Sequence, residues 1–127
     1  MENVFKIAAP YSRVRDFLRS RGWELQGNDN EMGMDSFRNK KTGKHLFVED
    51  ISGDFPVTFL MGGLGLGGFK EIANALTPET SLLEVDSSWE GKRTTIVVAM
   101  TEDQVRNMFG RSTRTRRLVV RSTASEL

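Results

Sequence analysis

The sequence predicts one α+β domain, residues 1–127, built on an antiparallel sheet of about five to six strands with two to three short helices. Short β-rich segments recur along the chain between clusters of Gly, Asn, Asp and Ser, whereas apolar residues at helical spacing occupy only short stretches. The length of 127 residues and the 38% of apolar residues suit a single core. No linker or internal repeat divides the chain.

The first two predicted elements are a strand and an amphipathic helix. Residues 3–8 are rich in β-forming side chains that alternate in polarity, which is typical of a half-buried strand. In the helix predicted at residues 12–21, Val14, Phe17 and Leu18 fall at i, i+3 and i+4 and share one face. The opposite face is polar and rich in arginine, so this helix is expected to pack on one side only.

Three strands are predicted to follow this helix, at residues 23–26, 32–38 and 44–51. The segments between them, residues 27–30 and 39–43, contain Gly, Asn, Asp and Lys, which favour turns. The short second connection has the length of a hairpin loop. We therefore expect an antiparallel meander.

A Gly-rich loop separates the next predicted strand from the second helix. Residues 57–61 form an apolar strand, residues 62–68 contain five glycines, and residues 69–76 carry apolar side chains at helical spacing. Residues 81–86 and 94–100 then predict another antiparallel pair. A Thr-Pro-Glu sequence before this pair also suits a helix N-terminus, and a helix there remains the alternative.

The third helix has the clearest local signal in the chain. Thr101 is a good N-cap with Gln104 three residues later, two acidic residues lie in the first turn, and Gly110 is a stop signal. These features predict a helix at residues 102–109. Residues 116–121 predict a last strand, and the residues after it are expected to fray.

Composition limits the cellular setting and the classes of function. The chain has no cysteine, which excludes disulfides and thiolate chemistry and favours a reducing compartment. The first residues lack the apolar run of a signal peptide, so we expect a cytoplasmic location. The most apolar stretch, residues 55–69, contains five glycines and one proline and is shorter than the ~20 apolar residues needed to span a bilayer.

Charge is distributed unevenly although the net charge is only +1. Residues 1–103 contain 12 Lys and Arg against 16 Asp and Glu, whereas residues 104–127 contain six Arg against one Glu. Such a basic segment suits an acidic partner, and arginine in particular donates two parallel hydrogen bonds to a phosphate. Residues 111–127 therefore form a candidate basic C-terminal segment.

The leading hypothesis is a non-catalytic module that binds nucleic-acid phosphates, either RNA or DNA, through this segment. Hydroxyl groups of Ser112, Thr113 and Thr115 add donors of the kind that contact phosphates. The alternative is that the acidic body of the same molecule neutralises the arginines. The predicted contact residues, which include two arginines of the first helix, are Arg15, Arg19, Arg111, Arg114, Arg116, Arg117 and Arg121.

The Gly-rich loop supports two other hypotheses. If its apolar side chains are exposed, the loop is a partner surface of a small protein-binding adaptor or inhibitor, and homo-oligomers are also open. The residues predicted for that surface are Leu60, Met61, Leu64, Leu66 and Phe69. A third interpretation is that Leu64 and Leu66 lie in the core and that the glycines are present because they can adopt unusual backbone angles.

A nucleotide site is a more distant hypothesis for the same loop. Gly63, Gly65 and Gly68 fit G-x-G-x-x-G between a strand and a helix, and Asp86 ends the next predicted strand. In a dinucleotide-binding unit these glycines let the backbone approach a pyrophosphate, and the acid binds a ribose hydroxyl. Too few βα units follow the motif for a complete fold of that type, so no cofactor is predicted.

Catalytic motifs are scarce. His45 is the only histidine, no serine lies in a G-x-S-x-G or S-x-x-K motif, and no carboxylate set has the spacing of a calcium loop. We expect neither an enzyme nor a metal site.

The order helix, Gly-Trp, three strands and helix across residues 12–76 resembles a double-stranded-RNA-binding-domain-like fold. The segment FLRSRGWEL, residues 17–25, resembles the opening of HicA-type toxins, which are small RNA-cleaving domains. The resemblance implies an α-β-β-β-α architecture for the N-terminal half. Those toxins carry a Gly-Ser-His group on the strand that here spans residues 32–37 and has no histidine, so nuclease activity is not implied.

Overall fold

A computed structural model describes residues 3–29, 33–89 and 91–119. These residues form three helices and one sheet of eight strands. The elements in chain order are β1 (Asn3–Ile7), α1 (Tyr11–Ser20), β2 (Trp23–Asp29), β3 (Met34–Asn39), β4 (His45–Asp50), β5 (Thr58–Gly62), α2 (Leu66–Leu76), β6 (Ser81–Trp89), β7 (Lys92–Met100), α3 (Glu102–Phe109) and β8 (Thr115–Arg117).

The α+β class and the mostly antiparallel sheet are confirmed, but the predicted five to six strands are too few. The strand β8 has only three residues and is held by its pairing with β6, about 30 positions earlier in the chain. β8 overlaps the last strand predicted at residues 116–121, but its pairing with β6 could not be inferred from the local sequence. Residues 120–127, which include the end of the predicted last strand and Arg121, lie outside the described residues.

The sheet has the strand order β2-β3-β4-β5-β1-β7-β6-β8, so β2 and β8 form its two edges. The central strand β1 pairs antiparallel with β5 and parallel with β7, whereas every other neighbouring pair is antiparallel. Each helix thus connects two strands that run in the same direction.

The N-terminal half has one strand more than the α-β-β-β-α order implied by the resemblance. A meander of four strands, β2 to β5, lies between α1 and α2, and β1 precedes α1 in the same sheet. The double-stranded-RNA-binding-domain-like architecture is therefore not confirmed.

Helices pack on both faces of the sheet. Because side chains alternate along a strand, Phe5 and Ile7 face α1 and α2, and the ring of Phe5 stacks on Phe69 of α2 with centroids 4.5 Å apart. We call this side the α1/α2 face. On the other side, the α3 face, Val105 of α3 packs with buried residues of β6 and β7, which are Leu83, Val85, Ile96, Val98 and Met100.

A local sequence signal explains the start of α3, whereas the start of α2 depends on backbone conformation. The capping box of α3 is confirmed, since Thr101 Oγ1 accepts a hydrogen bond from the Gln104 backbone and Gln104 Oε1 accepts one from the Thr101 backbone. In contrast, α2 begins at Leu66, three residues before the prediction, because Gly65 takes the extended N-cap conformation.

Candidate nucleic-acid interface

The C-terminal arginines lie on and before the edge strand β8. The backbone of β8 is tied to β6 by hydrogen bonds from Leu118 N to Leu82 O, at 2.8 Å, and from Asp86 N to Arg114 O, at 3.2 Å. The loop before it is fixed to α3, because the Thr113 hydroxyl donates to the carbonyl oxygen of Phe109 at 2.8 Å. The arginines therefore project from an ordered frame.

One of these arginines is neutralised inside the molecule. Arg116 lies directly opposite Glu84 of β6, and its Nη2 donates to the Glu84 carboxylate. The Arg116 side chain is 77% exposed, whereas that of Glu84 is 23% exposed. The expected neutralisation by the acidic body thus applies to this position.

The other three arginines that the structure describes in this segment are exposed and form no ion pair with a described carboxylate. They are Arg111, Arg114 and Arg117. Arg117 lies opposite Leu83 and therefore on the α3 face, away from the Arg116 pair. Among the residues that the structure describes, these three guanidinium groups therefore have no acidic partner.

The arginines of α1 lie on a different part of the molecule. α1 contacts β2, the edge strand opposite β8, and its Val14 and Leu18 belong to the apolar cluster over the central strands. Arg15 pairs with Asp16 at 3.3 Å and lies over the ring of Tyr11, while Arg19 is exposed. That Arg15 and Arg19 contact the same ligand as the C-terminal arginines stays a prediction.

Arg19 instead lines a shallow pocket at the β2 edge. Trp23 lies in this pocket and is buried, and its Nε1 has no hydrogen-bond acceptor among the described residues. The nearby Lys40 Nζ is paired with Glu24 Oε1 at 2.9 Å. The pocket contains both signs of charge.

Two glycines at the end of β5, Gly62 and Gly63, allow β4 and β5 to approach closely. A Cβ atom on Gly63 would lie 2.8 Å from both the carbonyl oxygen of His45 and the Cβ of Lys44. The backbone N–H of Gly63 donates to the same carbonyl oxygen at 2.7 Å. Gly62 has a φ of +128°, and a Cβ there would meet the His45 oxygen at 2.8 Å. Packing against β4 therefore accounts for both glycines.

The side chains predicted as an exposed protein-binding patch are largely inside the molecule. Leu60, Leu64 and Phe69 are at most 1% exposed, and Met61 and Leu66 are half-buried. The prediction of an exposed apolar loop is wrong for the three buried residues, because their side chains fill the core under α1 and α2. The interpretation that placed Leu64 in the core fits this arrangement.

The sheet topology does not favour a nucleotide site at the same loop. In a dinucleotide-binding unit the strands on either side of the helix are neighbours, whereas β1 and β7 lie between β5 and β6. Asp86 is thus about 14 Å from β5 along the sheet. The N–H of Gly63 is also already bonded to His45.

An acidic pocket lies between α1 and the neighbouring strands. The Tyr11 hydroxyl and the Asn28 amide both donate to Asp35, the second at 3.0 Å. The pKa of Asp50 in the same pocket lies below its ordinary value because the Ser52 hydroxyl and backbone N–H donate to its carboxylate. Within the described residues no group of three or more His, Cys, Asp or Glu is placed to hold a metal ion.

A group of half-buried residues on the α3 face includes Met61, which the sequence predicted for a protein-binding surface, and two phenylalanines, Phe47 and Phe59, which it did not. Phe47 and Phe59 are half-buried on adjacent strands, and Met61 lies directly opposite Phe47. Alternation along β4 and β5 indicates that these side chains share a face. It does not indicate whether a helix covers that face.

Comparisons with protein-family models, with curated proteins and with solved structures found no match. In the described part of the chain, every helix is too short or too polar to cross a lipid bilayer.

Proposed function

We propose that this protein is a non-catalytic module that binds nucleic-acid phosphates through Arg111, Arg114 and Arg117. The observation that carries the proposal is that these three guanidinium groups are exposed and unpaired among the described residues, on a backbone fixed to β6 and α3. A fixed backbone reduces the conformational entropy lost on binding. Arginine also suits phosphate because its planar fork matches two phosphate oxygens.

The number of available arginines sets the expected salt dependence. Each neutralised phosphate contributes about −0.9 to the slope of log affinity against log salt for a duplex and about −0.7 for a single strand. Three arginines therefore give a slope of about −2 to −3. Contacts of this kind read the backbone, so we expect little preference for base sequence.

The test is a salt series with a fluorescently labelled random-sequence duplex and a labelled single strand of equal length. The variant Arg111→Gln/Arg114→Gln/Arg117→Gln should lose most of the affinity and most of the slope. Arg13→Gln is the control, because Arg13 is also exposed and lies on α1 near the opposite edge of the sheet. Absence of binding by the wild type at ~50 mM salt, where phosphate contacts are strong, would refute the proposal.

A further inference from the structure

The α3 face carries a group of half-exposed apolar side chains on β4, β5 and β1. Phe47 of β4 lies opposite Met61 of β5, and Met61 lies opposite Val4 of β1. Phe59 is two residues from Met61 on the same strand and so is a diagonal neighbour of Phe47, close enough for the two rings to present one surface. We call Phe47, Phe59 and Met61 the aromatic patch; Val4 itself packs against the apolar cluster under α3.

The third helix covers a different part of this face. Val105 of α3 packs with residues of β6 and β7, and the ring centroid of Phe109, the last residue of α3, is 4.8 Å from Lys6 Nζ on β1. The connection between β4 and β5 also packs against this cluster through Ile51, Phe55 and Val57. The other two helices pack on the opposite face. Over β4 and β5, therefore, no described helix covers the α3 face, and Phe47, Phe59 and Met61 stay partly exposed.

Positive charge flanks the aromatic patch on two sides. Lys6 lies directly beside Phe59 in the register of β1 with β5. Arg38 of β3 lies opposite His45 of β4, and His45 is two residues before Phe47 on that strand. The side chains of Arg38 and His45 are both exposed. One acid, Glu49, is also opposite Phe59. Lys6 thus lies beside Phe59 with its half-buried ammonium over the Phe109 ring, Glu49 adjoins Phe59 on the other side, and exposed Arg38 lies beyond Phe47.

The patch and Arg117 lie on the same face of the sheet, with α3 packed over β6 and β7 between them. Arg117 lies opposite Leu83, Leu83 lies opposite Val98, and Val98 is the partner of Lys6 on β1. Lys6 is in turn opposite Phe59. Phe59 and Arg117 are therefore in one row across the sheet, four strand spacings or about 19 Å apart.

From this arrangement we infer that the aromatic patch is a stacking platform for the unpaired bases of a single-stranded nucleic acid, with Lys6 and Arg38 beside its phosphates. The inference rests on the proposed function. Aromatic rings bind bases in a sequence-tolerant way because every base has a π-face, and a positive surface follows the backbone. The bases of a duplex are stacked on each other and cannot use the platform. The protein is thus expected to prefer single strands.

The experiment compares Phe47→Leu and Phe59→Leu with wild type, using labelled oligo-deoxythymidine of about 12 nucleotides and a duplex of the same length. Leucine keeps an apolar side chain on the strand but has no ring on which a base can stack. Phe17→Leu is the matched control, because Phe17 is a half-buried phenylalanine of α1 on the opposite face. Urea denaturation establishes that all variants remain folded.

We expect wild type to bind the single strand more tightly than the duplex. Each platform substitution should weaken single-strand binding by about fivefold or more, the loss that corresponds to stacking of one base, and leave duplex binding unchanged. Phe17→Leu should behave as wild type in both assays.

Three results would overturn the inference, and they are distinguishable. In the first, both probes bind equally, neither Phe47→Leu nor Phe59→Leu weakens binding, and the arginine variant loses affinity. That result supports the proposed function but contradicts the stacking platform. Failure of wild type to bind either probe removes both. Self-association of wild type that disappears in Phe47→Leu identifies the patch as an interface between copies of the chain.

Discussion

Arg116 of β8 and Glu84 of β6 lie opposite each other on the α1/α2 face, and the guanidinium group donates to the carboxylate. Its neighbour Arg117 lies on the α3 face, where the opposing residue is Leu83. Strand alternation therefore divides two consecutive arginines into one that is paired internally and one that is available.

Removal of the Glu84 carboxylate should release a further arginine for phosphate binding. We expect Glu84→Gln to strengthen nucleic-acid binding and to make the salt slope more negative by about 0.7–0.9, the contribution of one additional phosphate contact. The salt series described above measures this change. Glu79→Gln is the matched control, since it removes one exposed negative charge that has no ion pair among the described residues. Equal effects of the two substitutions would show that only net charge matters.

A methyl group at Gly63 should destabilise the fold. Its Cβ would approach the His45 carbonyl oxygen and the Lys44 Cβ to 2.8 Å, so β4 and β5 would have to move apart. We expect Gly63→Ala to lower the free energy of unfolding by about 1–3 kcal/mol, as overpacking usually does. Gly53→Ala is the control, because a Cβ on Gly53 would meet nothing within 4 Å. Urea denaturation measures both, and wild-type stability of Gly63→Ala would contradict the close approach of the strands.

The N-cap of α3 should contribute measurably to stability. Thr101 Oγ1 accepts a hydrogen bond from the Gln104 backbone at 3.2 Å, and Ala cannot replace it. Thr101→Ala is expected to cost about 1 kcal/mol of unfolding free energy, whereas Thr101→Ser keeps the hydroxyl and should remain close to wild type. Thermal or urea denaturation distinguishes the two. If Thr101→Ala and Thr101→Ser lower the unfolding free energy equally, the stability comes from the threonine methyl group and not from the capping hydrogen bond.

The half-buried ammonium of Lys6 should make stability depend on pH in the alkaline range. Burial lowers the pKa of Lys6 below its ordinary value of 10.5, so the charged form costs free energy in the folded state. Below the folded-state pKa this cost is present in full. Between that pKa and 10.5 only the unfolded chain remains protonated, and the cost is relieved as the pH rises.

Lys6→Met should therefore be more stable than wild type near neutral pH, with a difference that shrinks as the pH rises toward 10.5. The Met side chain gives up the cation–π contact with Phe109, which offsets part of the gain. Urea midpoints at about pH 7 and about pH 10 measure the difference. Lys41→Met, at an exposed turn, controls for the loss of one positive charge. If the stability difference between Lys6→Met and wild type is the same at both pH values, the pH dependence does not come from Lys6.

Much of the local structure could be predicted from sequence. The bounds of α3 agree with the prediction at both ends, because the Thr101 and Gln104 cap is a local signal. α1 was displaced by one residue and α2 by three at its start, where Gly65 caps the helix without any side-chain hydrogen bond. A cap made only by backbone conformation leaves no sequence pattern.

The candidate site was predictable only in part. The concentration of arginine after Gly110 is visible in the sequence, but the pairing of Arg116 with Glu84 depends on the register of β8 with β6. The apolar sequence around Gly63 is compatible with an exposed loop and with a buried one. The core position of Leu64 follows only from the packing of α2.

By itself, the sequence determined the α+β class, the approximate positions of the helices and the excess of positive charge near its end, because propensity, capping and charge are properties of neighbouring residues. The tertiary structure alone decided that there are eight strands in one sheet, that β2 and β8 form its opposite edges, and that Phe47 and Phe59 share a face with Arg117. These relationships depend on strand order and register, which join residues far apart in the chain.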